Sequence, residues 1–240
     1  MKDVPEHSVD MVLCDLPYQM TDCQWDRMLP LAELWEQYKR IVKDNGAVVL
    51  FGVQPFTTKL IHSNLKHFRY CWYWKKNNAT GGQFCKYQPM RCIEDICVFY
   101  RKAPTYNPQG LKKLDKPIIN RAVKKKDGVY EWRGKDTIQH YTGYPRHLLE
   151  FKNDTMNKSR LHPTQKPVAL LEYLIKTYTN PGEIVLDNCM GSGSTGEAAI
   201  RTDRRFIGIE KDEHFFKVAK ERIEGVVENV DPKTRAILQK

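Results

Sequence analysis

Glu183-Ile184-Val185-Leu186-Asp187-Asn188-Cys189-Met190-Gly191-Ser192-Gly193-Ser194-Thr195-Gly196 reads as a buried strand ending at an aspartate, a glycine-rich loop, and a helix beginning near Ser194. The short apolar run, bounded by Pro181-Gly182 on one side and glycines on the other, suits a strand covered on both faces. Gly191 and Gly193 bare the backbone beside a helix N-terminus, an arrangement that receives polar ligands. One strand later, Arg205 to Ile209 repeats the pattern and stops at Glu210. A carboxylate at that tip suits the two hydroxyls of an adenosine ribose. The string also fits GxGxxG, which leaves a dinucleotide-binding enzyme open beside other nucleoside cofactors. No GK[ST] follows, so it is not a phosphate-binding P-loop.

Working outward, Pro167 to Tyr178 reads as a helix broken by Pro181-Gly182, and a last helix covers about Asp212 to Glu224. No pattern is evident after Val227. Toward the N-terminus, Val9 to Cys14 is an apolar strand ending at Asp15-Leu16-Pro17-Tyr18. Met28, Leu31, Leu34, Trp35, Tyr38, Ile41 and Val42 recur at helical spacing, with Asn45-Gly46 as the expected stop. Ala47 to Phe51 is a second buried strand, residues from about 55 to 66 a second helix, and Tyr70–Trp74 and Ile96–Tyr100 two more strands. This alternation predicts an α/β fold, a mostly parallel sheet with helices on both faces.

Between the two halves the chain changes character. Residues 102–160 hold 14 Lys and Arg against 6 Asp and Glu, a net +8 of the chain's +10. Lys124, Lys125 and Lys126 form the densest run, and Tyr106, Tyr130, Trp132, Tyr141, Tyr144 and Phe151 are interleaved with the basic residues. Such a segment is either a solvated loop with a few core aromatics or a surface that neutralises phosphates and stacks on bases. The boundaries expected are 1–101 and 161–240 as two halves of one domain, with 102–160 inserted between them. The seven cysteines are scattered and never spaced as CxxC, and the seven histidines show no ligand spacing. Neither a disulfide framework nor a metal site is expected. With no leader or long apolar run among the 240 residues, the expectation is a soluble, cytoplasmic protein without membrane contact.

Asp15-Leu16-Pro17-Tyr18 sits where a strand ends, on the same sheet edge as the glycine loop. It is either a simple turn or a site for an aromatic amine. The lone pair of such an amine is delocalised into the ring, so the nitrogen is a poor nucleophile. Acceptors on its two N–H groups, here the Asp15 carboxylate and the Leu16 carbonyl, favour a more tetrahedral nitrogen. The Tyr18 ring could stack on the base, and a base reaches such a pocket only when flipped from the duplex.

The order of these segments resembles the beta class of amino-methylating DNA methyltransferases, whose motifs are permuted. Asp15-Leu16-Pro17-Tyr18 comes first, then the basic insert, then His162-Pro163-Thr164-Gln165-Lys166-Pro167, Asp187 to Gly193, and Phe206 to Glu210. The resemblance covers about Ser8 to Ile223. It implies a Rossmann-like S-adenosylmethionine-dependent fold, S-adenosylmethionine as cofactor and double-stranded DNA as partner. It also implies a catalytic half, a target-recognition insert and a cofactor-binding half in that order. Dimerisation occurs within the class, so a homodimer is compatible with it.

By position, Asp15, Leu16, Pro17 and Tyr18 would hold the target base. Asp187, Gly191, Gly193, Ser194 and Glu210 would hold the cofactor, with His162, Thr164 and Lys166 near its methionine end. Lys124, Lys125, Lys126, Arg133 and Arg146 would contact DNA. An initial Asp in the tetrapeptide accompanies N6-adenine, whereas an initial Ser accompanies N4-cytosine. An N4-cytosine enzyme and a DNA-binding relative with lost catalysis are the alternatives. Three departures stand out. Leu16 replaces a proline, Asn188 and Cys189 replace Pro-Phe, and few residues precede the first strand where relatives commonly have a further short segment, so the expectation is either a shortened start or a pocket wall supplied from elsewhere.

Overall fold

The computed structural model describes residues 1–17, 29–122, 135–153 and 165–229. Its strands are β1 (Val9–Cys14), β2 (Val42–Gly52), β3 (Phe68–Thr80), β4 (Arg91–Phe99), β5 (Lys112–Asn120), β6 (Thr137–Thr142), β7 (Leu148–Glu150), β8 (Ile184–Asp187) and β9 (Arg205–Gly208). Its helices are α1 (Leu31–Ile41), α2 (Phe56–Ser63), α3 (Val168–Tyr178), α4 (Ser194–Arg201) and α5 (Glu213–Asn229). Two compact units result: Met1–Asn107 with His147–Lys240, and Pro108–Arg146.

The larger unit is built on a seven-stranded sheet in the order β7-β3-β4-β2-β1-β8-β9. Four of its six strand pairings are parallel, as the α/β pattern predicts; β4 runs antiparallel to both β2 and β3. Side chains alternate between faces along each strand. Met11, Leu13, Val49, Phe51, Ile96 and Val98 point to one side, where Leu170, Leu171, Leu174 and Ile175 of α3 and Ala198 and Ala199 of α4 cover them. Val12, Cys14, Val48, Leu50, Cys97 and Phe99 point to the other, against Leu34, Tyr38 and Ile41 of α1 and Phe56 and Leu60 of α2. Each large side chain so buried contributes roughly 1.5–3 kcal/mol.

Several boundaries differ from expectation. α1 ends at Ile41 rather than at Asn45-Gly46, because Val42 is already extended and begins β2. The register then jumps, from Val9 opposite Val42 to Met11 opposite Ala47, so the intervening residues bulge out of the ladder. Gly46 permits this close fold-back: a Cβ there would lie 2.6 Å from Val42 Cγ1 and 2.9 Å from the Asp10 carbonyl oxygen. β3 extends to Thr80 and β4 starts at Arg91, beyond the predicted strands, because their exposed ends carry polar residues with no apolar alternation. α5 runs to Asn229, capped by Asp212, whose Oδ1 accepts the amides of His214 and Phe215 at 2.9 and 3.0 Å.

In the smaller unit β5 and β6 pair antiparallel. Both strands are largely exposed, so the burial-driven alternation that reveals a strand in a sequence is missing. Residues 148–150 lie outside that unit, as β7 on the main sheet beside β3. Among the described residues, no helix is long and apolar enough to cross a membrane.

Gly46→Ala should destabilise the protein by about 1–3 kcal/mol through the clash with Val42 and the Asp10 backbone. Urea denaturation checks this, and an unchanged midpoint would mean that the bulge is not constrained as described.

Candidate active site

β1, β8 and β9 are adjacent and parallel, so their carboxyl ends share one edge of the sheet. From β1 the chain passes to β2 on one side, while β8 and β9 lie on the other. The boundary between β1 and β8 is therefore the switch point where open α/β sheets bind ligands. Asp15 follows β1, Asp187 ends β8, and Glu210 stands two residues past β9.

Asp187 organises the glycine loop. Its Oδ2 accepts the Thr195 hydroxyl at 2.7 Å and its Oδ1 accepts the Cys189 amide at 3.0 Å. Burial pushes its pKa up to about 6, against the pull of those hydrogen bonds. Glu210 braces the loop from β9. Its Oε2 accepts the Gly191 amide at 2.9 Å, and its Oε1 accepts the amides of Lys211 and Asp212 at 2.8 and 2.9 Å. Gly193 has φ +78°, and a Cβ there would lie 2.9 Å from Ala219 Cβ on α5, so both backbone and packing demand glycine. Ser194 is buried at the first residue of α4.

Behind the loop lies a residue that the motifs do not mention. Arg222 of α5 pairs with buried Glu197 of α4, and its Nη1 donates to Gln165 Oε1 at 3.1 Å and the Ser192 carbonyl at 3.3 Å. One guanidinium thus ties α5, the glycine loop and the segment before α3 together. In the sequence it is one arginine among many in an amphipathic helix, with no spacing to single it out.

Two of the departures have structural compensations. Leu16 is 2% exposed and packs in the apolar cluster under α1 and α2, so burial anchors the loop where a proline would stiffen it. Asn188 Oδ1 accepts the hydroxyl of buried Tyr38 at 2.6 Å, and Cys189 packs against the same cluster. Pro17 is partly exposed.

At Asp15 the structure adds three charges. Lys166 Nζ lies 2.5 Å from Asp15 Oδ2 and 3.4 Å from Glu94 Oε2, and Lys76 pairs with Glu94 Oε1. Lys166 also stands 5.1 Å from the centre of the Phe51 ring. Burial pushes the Asp15 carboxyl above its ordinary range, opposed by the Lys166 ammonium. Burial acts on Glu94 in the same direction, but Lys166 and Lys76 outweigh it and hold Glu94 below its ordinary range. Glu94 shares the face of Ile96 and Val98 on β4. Strand alternation could have placed this acid among buried residues, and its isolation from any motif hid it.

Tyr18, His162, Thr164, Lys124, Lys125, Lys126 and Arg133 lie outside the described residues, as do Tyr130 and Trp132. Arg146 is exposed in the smaller unit, with Tyr141 and Tyr144. Two aromatics of the basic stretch are structural instead. Phe151 packs on Tyr173 and the core, and Tyr106 tilts onto Tyr178, at ring distances of 5.8 and 6.2 Å. Among the described residues no His, Cys, Asp and Glu group could hold a metal.

The Asp187 shift has a signed consequence. Its folded pKa of about 6 exceeds the ordinary 3.8, so the folded state takes up the proton first as pH falls. This residue's contribution therefore makes the protein less stable as pH rises from about 4 to 6. Asp187→Asn should flatten that part of the stability–pH curve, as thermal unfolding across the range would reveal. An identical slope in wild type and variant would refute the assignment.

Residues 9–221 match the family model described as DNA methylase, which takes in N6 and N4 methyltransferases. The chain is 28% identical over 247 residues to the type II methyltransferase M.HpaI of Haemophilus parainfluenzae, covering 96% of this chain and 73% of that protein. It is 27% identical over 241 residues to the DNA adenine methyltransferase YhdJ of Escherichia coli (strain K12), covering 93% and 79%. The crystal structure of the M1.HpyAVI–SAM complex is similar with a TM-score of 0.59 at 26% identity, over 90% of this chain and 89% of that one. The chain belongs to the DNA methylase family and is an S-adenosylmethionine-dependent DNA methyltransferase.

Proposed function

We propose that the enzyme methylates N6 of adenine in a base flipped out of double-stranded DNA, with Asp15 as the principal acceptor for the target amine. The observation that carries this reading is Asp15 Oδ1. It is buried, and among the described residues it has no hydrogen-bond partner. A buried acceptor without a donor is costly, and an exocyclic N–H would satisfy it. The Leu16 carbonyl is the second acceptor, and Tyr18 stacks on the base. The initial aspartate of the tetrapeptide and the similarity to an adenine methyltransferase both favour adenine over N4 of cytosine.

The residues present fit the cofactor. The glycine loop lies at the switch point with Gly191 partly exposed, and among the described residues Glu210 Oε2 accepts one hydrogen bond, from Gly191, leaving acceptor capacity for a ribose hydroxyl. Asp187, Gly191, Gly193 and Ser194 would shape that pocket. S-adenosylmethionine, when bound, supplies an electrophilic methyl on a sulfonium. Asp15 and the Leu16 carbonyl orient the amine and favour a more tetrahedral nitrogen, whose lone pair is withdrawn from conjugation with the ring. No covalent enzyme intermediate is needed, so none of the cysteines is assigned a nucleophilic role. The rate enhancement rests on positioning and fixed charge. Arg146, with Lys124, Lys125, Lys126 and Arg133, supplies the cations for the phosphate backbone.

Asp15→Ala should abolish methylation of unmethylated DNA while S-adenosylmethionine still binds in calorimetry. Mass spectrometry of nucleosides from DNA treated with the wild-type enzyme should show N6-methyladenine. A near-wild-type rate for the variant would remove Asp15 from the reaction, and N4-methylcytosine would reassign the substrate.

A further inference from the structure

The carry-over from the family sets Lys166 near the cofactor, but its ammonium is aimed at Asp15. Lys166 is 7% exposed, so its charge has little water to rest in. It reaches Asp15 Oδ2 at 2.5 Å and Glu94 Oε2 at 3.4 Å, and Glu94 is in turn paired with Lys76. Four elements meet there: the end of β1, the end of β3, β4, and the segment entering α3. Among the described residues the cluster is two anions and two cations, whose charges balance while all four are present. A buried charge that loses its partner is strongly disfavoured, so each member constrains the others.

The division of labour at Asp15 follows from the same distances. One carboxylate oxygen is occupied by Lys166, and the other is buried without a hydrogen-bond partner among the described residues. An ammonium on Oδ2 fixes the carboxylate plane and leaves Oδ1 for the incoming amine. We propose that Lys166 is a positioning residue for methyl transfer, seated by Glu94 and Lys76, which holds Asp15 in place as a charged acceptor. This rests on Asp15 being the acceptor for the target amine.

Electrostatics give the idea a signature that a merely structural role lacks. The groups facing Asp15 are Lys166 before α3, Glu94 on β4, Lys76 on β3 and Asp187 on β8. Lys166 opposes the effect of burial on Asp15, whereas Glu94 adds to it. Removing Lys166 leaves an excess negative charge, which makes Asp15 harder to ionise. Removing the charge of Glu94 leaves an excess positive charge, with the opposite effect. The two substitutions should move the acid limb of the pH–rate profile in opposite directions.

The test compares single-turnover methylation from pH 5.5 to 9 (roughly the span over which such limbs are read) for Lys166→Met, Lys166→Arg and Glu94→Gln, with S-adenosylmethionine affinity measured for each. Lys166→Met should move the acid limb to higher pH by about one unit or more, a rate loss of about tenfold per unit on that limb. Lys166→Arg should keep the limb near its original pH, and Glu94→Gln should move it lower. Cofactor affinity should change by less than about threefold, under 1 kcal/mol. An unmoved limb in Lys166→Met, limbs moving the same way in Lys166→Met and Glu94→Gln, or a loss confined to cofactor affinity would each overturn the proposal. Should Lys166→Met fail to fold, the Arg and Gln variants still carry the comparison, because a limb unmoved in Glu94→Gln overturns it too. Asp15→Ala, which removes both acceptor oxygens, separates the two levels. If it remains active, the acceptor reading itself fails; if it is dead while the limbs stay unmoved, only the role of Lys166 fails.

Discussion

Val9 to Cys14 lies between two parallel neighbours with helices on both faces, and this confinement governs what the enzyme can do. Inside such a strand every backbone group is spent on the ladder and every side chain on the core. Functional chemistry can begin only where the ladder stops. β1 stops at Cys14, β8 at Asp187 and β9 at Gly208, and because they are parallel they stop on the same edge. The Asp15 loop after one strand and the glycine loop after its neighbour are therefore brought together by the sheet itself. The permuted order of the motifs does not disturb this, since strand adjacency, rather than sequence adjacency, sets the distance.

That edge is electrostatically costly. Asp15 and Asp187 are both pushed toward the protonated form by burial, and the charge of Asp15 adds to the effect on Asp187. Protein groups answer the cost unevenly. Asp187 is given neutral donors, an amide and a hydroxyl, which suits a residue that holds a loop in shape. Asp15 is given an ammonium on one oxygen, which opposes the effect of burial on its charge.

The parts of this arrangement that were legible in the sequence are those that burial writes into periodicity. β1, α3, β8, α4 and β9 are short apolar runs bounded by Pro, Gly or Asp, and their limits fall within a residue or two of expectation. What escaped notice has a common cause. β5 and β6 bury little, so they leave no alternation to find. The end of α1 depended on a bulge around Gly46 whose reason is a contact with Asp10, on a strand that starts more than thirty residues earlier. Lys166 was visible as a motif residue, yet its partner Glu94 sits about seventy positions away with nothing to join the two on paper. Arg222 and Lys76 are likewise defined by what they touch.

The departures from the family pattern bear on the same point. Measured against a motif, Leu16 and Asn188 look like losses of rigidity and packing. In the fold, Leu16 is driven into the cluster beneath α1, and Asn188 takes a hydrogen bond from Tyr38 of that same helix. The two substituted loops thus lean on one element, which packs on the face of the sheet opposite α3 and α4. A motif records what a loop must present to its ligands, while the means of holding the loop in place can move elsewhere in the chain. Here they have moved onto α1, so that Tyr38 helps hold the glycine loop although no motif contains it.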